Sequence, residues 1–459
     1  MKRIDVLPDD VLLEIFDFYM SVGAWQSLAH VCQRWRNLAF GSPRRLNVRL
    51  CCTPETPARD ILDIWPALPL IVRGKVTSLS GTDNVIAVLA QNNRVCQINI
   101  WGLSEWQLEK VLAAMQVPFP ELTDLELVSD GKTLPVIPDS FLGGSAPRLR
   151  KFNLNAILFP GLQKLFFSAN HLVYLRLVNI PHSVYISSEA MVTLLSVLSS
   201  LDALELEFQS PQPRPDWETR RPPPSKRSVT PALNSFLFKG VIEYLEDLVT
   251  FIDAPQLKSF SITSVYQIEF GTPRLAEFIT CTPTLRALDE AYVQFDDSTA
   301  SIKLGYQTSD VYDLEIAISC KEPDWQLSSV TRVCNPNSPL LPFSNVEDLY
   351  ITNEYSDPPW EYDENALWSE LLLAFTAVKD LYLSKELAPD IAAALQELVG
   401  ARVIEVLPSL QNIFVEDFRA PDLPRAFDLQ ENIWQFAGAR RHAGHPIAIS
   451  VWFTTWGSR

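Results

Sequence analysis

Apolar positions fall into two patterns along the chain. Near its start, Val11, Leu12, Ile15, Phe16 and Tyr19 stand at offsets 0, 1, 4, 5 and 8, one stripe at the 3.6-residue helical period. Pro8 suits the first helical position, where a missing N–H costs nothing, and Asp9 and Asp10 set negative charge against the positive helix start. After Gly23, the residues Leu28, Val31, Cys32, Trp35, Leu38 and Ala39 share one side of a second helical stretch. From about residue 70 the pattern changes to a triplet, apolar at i, i+3 and i+5. The first five copies are Val95/Ile98/Ile100, Leu122/Leu125/Leu127, Leu149/Phe152/Leu154, Leu172/Leu175/Leu177 and Leu201/Leu204/Leu206. The later five are Leu257/Phe260/Ile262, Val311/Leu314/Ile316, Val346/Leu349/Ile351, Val378/Leu381/Leu383 and Leu410/Ile413/Val415.

Starts from 95 to 201 lie 27, 27, 23 and 29 residues apart; the next gap is 56, room for one degenerate unit, and later gaps are 54, 35, 32 and 32. Helical patterns fill the intervals. Ser104 with Gln107 forms a capping box before a helix over 105–116, and further helices are expected over 188–198, 241–251, 364–375 and 389–399. Asp428 with Glu431 caps a last helix ahead of an apolar strand over 446–453. Strand alternating with helix predicts an α/β fold, parallel strands on one face and helices on the other. The spacing resembles that of leucine-rich repeats, although the asparagine usual after the strand is largely absent, so the expected body is an irregular leucine-rich-repeat-like α/β solenoid.

The opening helices carry a sharper resemblance. The run from Leu7-Pro8-Asp9-Asp10 to Phe16, followed by Val31-Cys32-Gln33-Arg34-Trp35-Arg36, resembles an F-box. That resemblance implies three short helices over residues 1–50 that dock on the Skp adaptor of an SCF-type cullin–RING ubiquitin ligase. The residues it implicates are Leu7, Pro8, Leu12, Ile15, Phe16, Leu28, Val31, Cys32 and Trp35. The extension through Ser42-Pro43-Arg44-Arg45-Leu46 and Thr56-Pro57 to Trp65-Pro66 is similar to F-box proteins of mushroom-type (basidiomycete) fungi. Physics agrees with a docking module: some 40 residues make too small a core to be stable without staples or a partner. A linker is expected over 51–70 and the repeat body over 71–459.

Charge narrows the partners. Lys and Arg number 38 against 55 Asp and Glu, a net charge of −17, while apolar residues make up 47%. A large core is available, and the acidic balance disfavours nucleic acid and anionic membrane surfaces, which require Lys and Arg. No apolar run is long enough to span a bilayer, and acids interrupt what would be the apolar region of a leader after Met1-Lys2-Arg3, so a cytoplasmic or nuclear protein is expected. The seven cysteines are odd in number and form no C-x-x-C, which favours buried free thiols. Over 211–231, seven prolines and a basic cluster predict an exposed insertion, with Ser225, Ser228 and Thr230 as candidate phosphorylation sites.

Catalytic chemistry is missing from the sequence. No G-x-G occurs, Gly143-Gly144-Ser145-Ala146-Pro147 lacks the last glycine of a nucleophile elbow, and His442/His445 beside Arg440 and Arg441 read as a solvated helix end. Glu361, Asp363 and Glu364, and likewise Asp296-Asp297, read as solvated helix starts. No enzyme, cofactor or metal is expected. The expected function is a substrate receptor that holds a target protein near the ligase; an adaptor-binding scaffold without targets and a small-ligand sensor are the alternatives. In each triplet, i+2, i+4 and i+6 face away from the buried side. These positions hold Trp101, Asp124, Glu126, Glu205, Glu207, Asp348, Tyr350, Asp380, Tyr382 and Phe414, with Tyr174, Asp313, Glu315 and Glu416, against only Lys151 and Arg176. Acids interleaved with aromatics suit a basic target segment.

Overall fold

The computed structural model describes residues 7–19, 25–41, 46, 48–130, 136–159, 163–180, 186–209, 227–265, 272–286, 288–306, 313–320, 322, 325–334, 341, 343–353, 365–398, 400–416 and 426–452. Val311, Ser225, Glu361, Asp363, Glu364 and all but the end of the proline-rich stretch lie outside these residues. The chain divides into two units, Met1–Ile186 with Thr193–Glu205, and Ser187–Val192 with Leu206–Arg459.

The first unit opens with three helices, α1 (Asp9–Tyr19), α2 (Trp25–Val31) and α3 (Gln33–Gly41). The second helical stretch expected from the sequence is therefore two helices, broken at Cys32. Arg34 ties the end of this module to its beginning, its guanidinium donating to Asp9 Oδ1 (2.5 Å) and to the Leu7 carbonyl (2.6 Å). Six parallel strands follow: β1 (Leu50–Cys52), β2 (Leu70–Lys75), β3 (Val95–Leu103), β4 (Asp124–Ser129), β5 (Lys151–Asn155) and β6 (Tyr174–Ile180). Each pairs with the next in sequence. In β4, Leu125 and Leu127 are buried while Asp124 and Glu126 are half-buried on the other face, the period-2 alternation the triplets predict.

Helix α4 (Ala58–Ile64) occupies the stretch expected as a linker. With β1 paired to β2, and Trp65 against the rings of His30 (6.0 Å) and Phe40 (6.2 Å), residues 51–70 are structured and join the helical module to the sheet. The capping box appears as expected: Gln107 Oε1 accepts the Ser104 N–H (2.9 Å) at the start of a helix over Glu105–Ala114. The same buried amide donates to Thr82 Oγ1 (3.2 Å) on the helix Leu79–Leu89, so one side chain caps one helix and ties it to another. The Gly143-Gly144 pair is structural: at Gly143 φ is +65°, and a Cβ there would meet the Pro118 nitrogen at 2.8 Å.

Strand β7 spans Ala203–Phe208, and the short β8 (Ser228–Val229) pairs in parallel with β10 (Ile252–Asp253). Thr230 is buried and bonded to the Asp253 carbonyl, so the end of the proline-rich stretch is folded and Thr230 is not an exposed phosphorylation site. The second unit's main sheet takes the order β9 (Ser235–Gly240), β11 (Ser259–Val265), β14 (Leu314–Ser319), β13 (Thr299–Gly305), β12 (Glu290–Phe295), β15 (Asp348–Asn353), β16 (Asp380–Leu383), β17 (Asn412–Glu416) and β18 (Ala448–Trp452). Strand β9 is the degenerate unit, with Leu233, Phe236 and Phe238 buried at the triplet spacing. The interval from 257 to 311 holds a further copy in which Ala291 stands between Leu288 and Val293. Its strand β12 turns back into β13, which is antiparallel to both neighbours, so the sheet departs from an all-parallel arrangement. Asp296 makes that turn by accepting the Ser298 and Thr299 N–H groups at 3.0 and 2.7 Å; Asp296-Asp297 is a hairpin, not a helix start.

Helices Ile242–Phe251, Pro273–Cys281, Trp325–Val333, Asn365–Leu372 and Ala388–Gln396 lie between strands of this unit. Buried Glu246 accepts the Leu275 N–H (2.7 Å) and the Arg274 N–H (3.3 Å), capping one helix from another. The last helix spans Ala426–His442 and begins before the expected Asp428 cap. His442 and His445 are exposed, but Arg440 is fully buried, donating to the carbonyls of Val403, Val406 and Leu407 at 3.1–3.2 Å. The cysteines also divide: Cys52, Cys96, Cys320 and Cys334 are buried, Cys32 is half-buried, and Cys51 and Cys281 are exposed.

Candidate functional site

The N-terminal helices sort their apolar stripe into two faces. Leu12, Leu13 and Phe16 turn inward with Ala29 and Ala39, and Trp35 stacks edge-on against Phe16 at 4.8 Å. Val11, Ile15, Phe18 and Val31 remain exposed, Phe18 at 93%. Of the residues implicated by sequence, Leu12 and Phe16 are fully buried and pack in the module's own core. Ile15 on α1 and Val31 on α2 are exposed, Pro8 is exposed, and Leu7, Leu28, Cys32 and Trp35 are half-buried. Val11 and Phe18 were missed by sequence reasoning, although Val11, Ile15 and Phe18 at offsets 0, 4 and 7 are themselves a helical stripe. Val11, Ile15 and Phe18 thus place three exposed apolar residues along one side of an 11-residue helix.

On the strands, the positions expected to face away from the core do alternate with buried ones. Cross-strand register gathers them into rows. In the first unit Gln97, Asp124, Lys151 and Tyr174 form one row, and Asn99, Glu126, Asn153 and Arg176 the next. Complementary partners meet here: Gln97 Nε2 donates to Asp124 (3.0 Å), Asn153 Nδ2 to Glu126 (3.0 Å), and Arg176 pairs with Glu205 of the following strand at 2.7 Å, while Asn153 Oδ1 is buried without a hydrogen bond. Tyr174 Oη also donates to Glu205 (3.2 Å), and burial first, then that carboxylate, pushes the phenol up. Trp101 is 37% exposed in register with Lys75, and Glu207 is half-buried.

The second unit lines up like with like. Tyr292, Tyr350, Tyr382 and Phe414 occupy one row over four strands, with successive centroids 4.4, 4.3 and 4.6 Å apart and planes within 10°. Trp452 flanks this ladder, edge-on to Tyr382 at 5.5 Å, its indole N–H donating to the Leu383 carbonyl. Beside it runs a row of Glu290, Asp348, Asp380 and Asn412. Asn412 Nδ2 donates to Asp380 Oδ1 at 2.6 Å. Asp348 is pushed up to about 6, by burial first and then by the charges of Asp380 and Glu290. Glu290 is raised for the same kind of reason, burial ahead of Asp289. Asp124 and Glu126 in the first unit and Asp348 and Asp380 here are all half-buried and differ in their partners.

Among the described residues, no group of three or more His, Cys, Asp or Glu side chains could hold a metal ion, and no helix is long and apolar enough to cross a membrane.

An F-box-like family model matches residues 4–52, the helical module through β1. No curated protein matches the chain. Among solved structures, the chain is similar to the leucine-rich repeat-containing protein LegL7 from Legionella pneumophila, at 13% identity and a TM-score of 0.28, with 85% of this chain and 98% of that one covered. It is also similar to TLR13 in its complex with ssRNA13, at 12% identity and a TM-score of 0.32, covering 88% of this chain and 49% of that one.

Proposed function

We propose that this chain is the target-holding subunit of an SCF-type cullin–RING ubiquitin ligase. Its N-terminal helices bind a Skp-type adaptor, and through it the cullin and RING subunits, while the strand faces hold a target protein. The carrying observation is the F-box-like match over residues 4–52 together with the exposed apolar face of Val11, Ile15, Phe18 and Val31 on that module. The chain then contributes proximity: a target bound to one part is presented to chemistry in another subunit. The aromatic and acidic rows of the second unit are the face that supports target binding, with Asp348, Tyr350, Asp380, Tyr382 and Phe414 as its residues and a basic segment as its occupant.

The test is adaptor capture by the full chain. Ile15→Ala, Phe18→Ala and Val31→Ala together remove exposed contacts and leave the internal core of Leu12 and Phe16 in place. Loss of capture by tenfold or more, the size that removing a few apolar anchors produces, is the expected outcome. A triple variant that pulls down the adaptor and cullin at wild-type strength overturns the assignment.

A further inference from the structure

The aromatic row of the second unit is closed at one end and open at the other. Read across the strands, it runs Glu315, Lys303, Tyr292, Tyr350, Tyr382, Phe414, Ser450. Rings stacked at 4.3–4.6 Å cover each other's faces, so only the two terminal rings keep an outer face. Beyond Tyr292 the chain supplies its own cation, Lys303, held by Gln294 Oε1 at 2.9 Å and Glu315 at 3.6 Å. Beyond Phe414 stands Ser450, exposed and too small to cover a ring, with Ala448 exposed beside it on the same face. Glu416 lies two residues along from Phe414 on that face, and Asn412, which bonds Asp380 on the neighbouring strand, lies two residues the other way.

We propose that this open end is a docking position for an arginine of a partner protein, its guanidinium lying over Ser450 as the next layer of the stack, against the outer face of Phe414. An aromatic face attracts a cation, and a flat guanidinium continues a stack of planes where an ammonium does not. Charge complementarity selects the occupant: Glu416, in register with Trp452, is the carboxylate next to Phe414 along its strand on this face, and Asp380 stands on the adjoining strand beside Asn412. At the far end the register places a lysine on the strand next to Tyr292. This inference rests on the target-holding reading of the same face and narrows the target from basic to arginine-bearing.

The probe is the peptide acetyl-Ser-Gly-Arg-Gly-Ser-amide, with lysine and citrulline versions, titrated into the full chain carrying ring-labelled phenylalanine. The Phe414 signal is identified by its loss in Phe414→Leu. The arginine peptide should shift that signal saturably, and the citrulline peptide should bind at least fivefold more weakly. Ser450→Tyr, at an exposed position, adds a ring over the site and should lower arginine binding at least fivefold. Equal binding by the citrulline peptide, equal binding by the lysine peptide, or unchanged binding to Ser450→Tyr each overturns the proposal. Adaptor capture by the wild-type chain, measured separately, reports on the receptor reading alone, so the two failures are told apart.

Discussion

The open strand faces of the two units use the same alternation and reach opposite electrostatic outcomes. In the first unit, register sets an amide or a guanidinium beside each carboxylate: Gln97 beside Asp124, Asn153 beside Glu126, Arg176 beside Glu205. In the second, it sets Asp348 beside Asp380 and Glu290, and ring beside ring. Cross-strand neighbours of complementary type satisfy a face internally, whereas neighbours of like type leave it capacity for an outside partner.

The largest effect should come from breaking the ladder. Tyr350→Ala removes a ring stacked on both sides, and should cost about 2–4 kcal/mol of unfolding free energy from lost burial and two aromatic contacts. Urea unfolding checks it, and a cost below about 1 kcal/mol would mean the rings do not pack as a unit. Next comes the Arg176–Glu205 pair. Arg176→Ala leaves the Glu205 carboxylate, 15% exposed, without its ion pair and should cost about 1–2 kcal/mol. Charge reversal of both partners should recover most of that loss, as a local pair requires.

The smallest effect has the opposite sign. Folded Asp348 holds its proton up to about 6, against an ordinary value of 3.8. Between these values the unfolded chain has released the proton and the folded chain has not, so this group's contribution to stability falls as pH rises through the window and stays lower above it. Asp348→Asn should therefore be more stable than wild type at neutral pH, with the advantage shrinking as pH drops towards 4. Midpoints of urea unfolding at several pH values give the comparison; a destabilised Asp348→Asn at neutral pH would contradict the like-charge account.

Much of the fold was legible because burial writes a period into the chain. The triplets predicted the strands, and Ser104 with Gln107 predicted a helix start, since both signals lie within a few residues. The hairpin of β12 and β13 was hidden because Ala291 replaces the expected large residue and the antiparallel return is set by the Asp296 turn. On the N-terminal module, the sequence announced an apolar helix but not its division: Val11 and Leu12 are adjacent, and only the packing of Phe16 against Trp35 decides which faces out.

By itself the sequence determined the F-box-like start, the alternation of strand and helix, and which side chains leave the core, because these depend on neighbours close along the chain. Tertiary structure alone decided who stands beside whom across strands. Asp124 and Asp348 occupy the same place in their triplets, yet one meets a glutamine and the other an aspartate. It also decided that Arg440, in a sequence that reads as a solvated helix end, is fully buried to cap carbonyls more than 30 residues away. A local pattern carries the period of burial; it carries no record of the partner that a distant segment brings, and the energy of a charge or a ring depends on that partner.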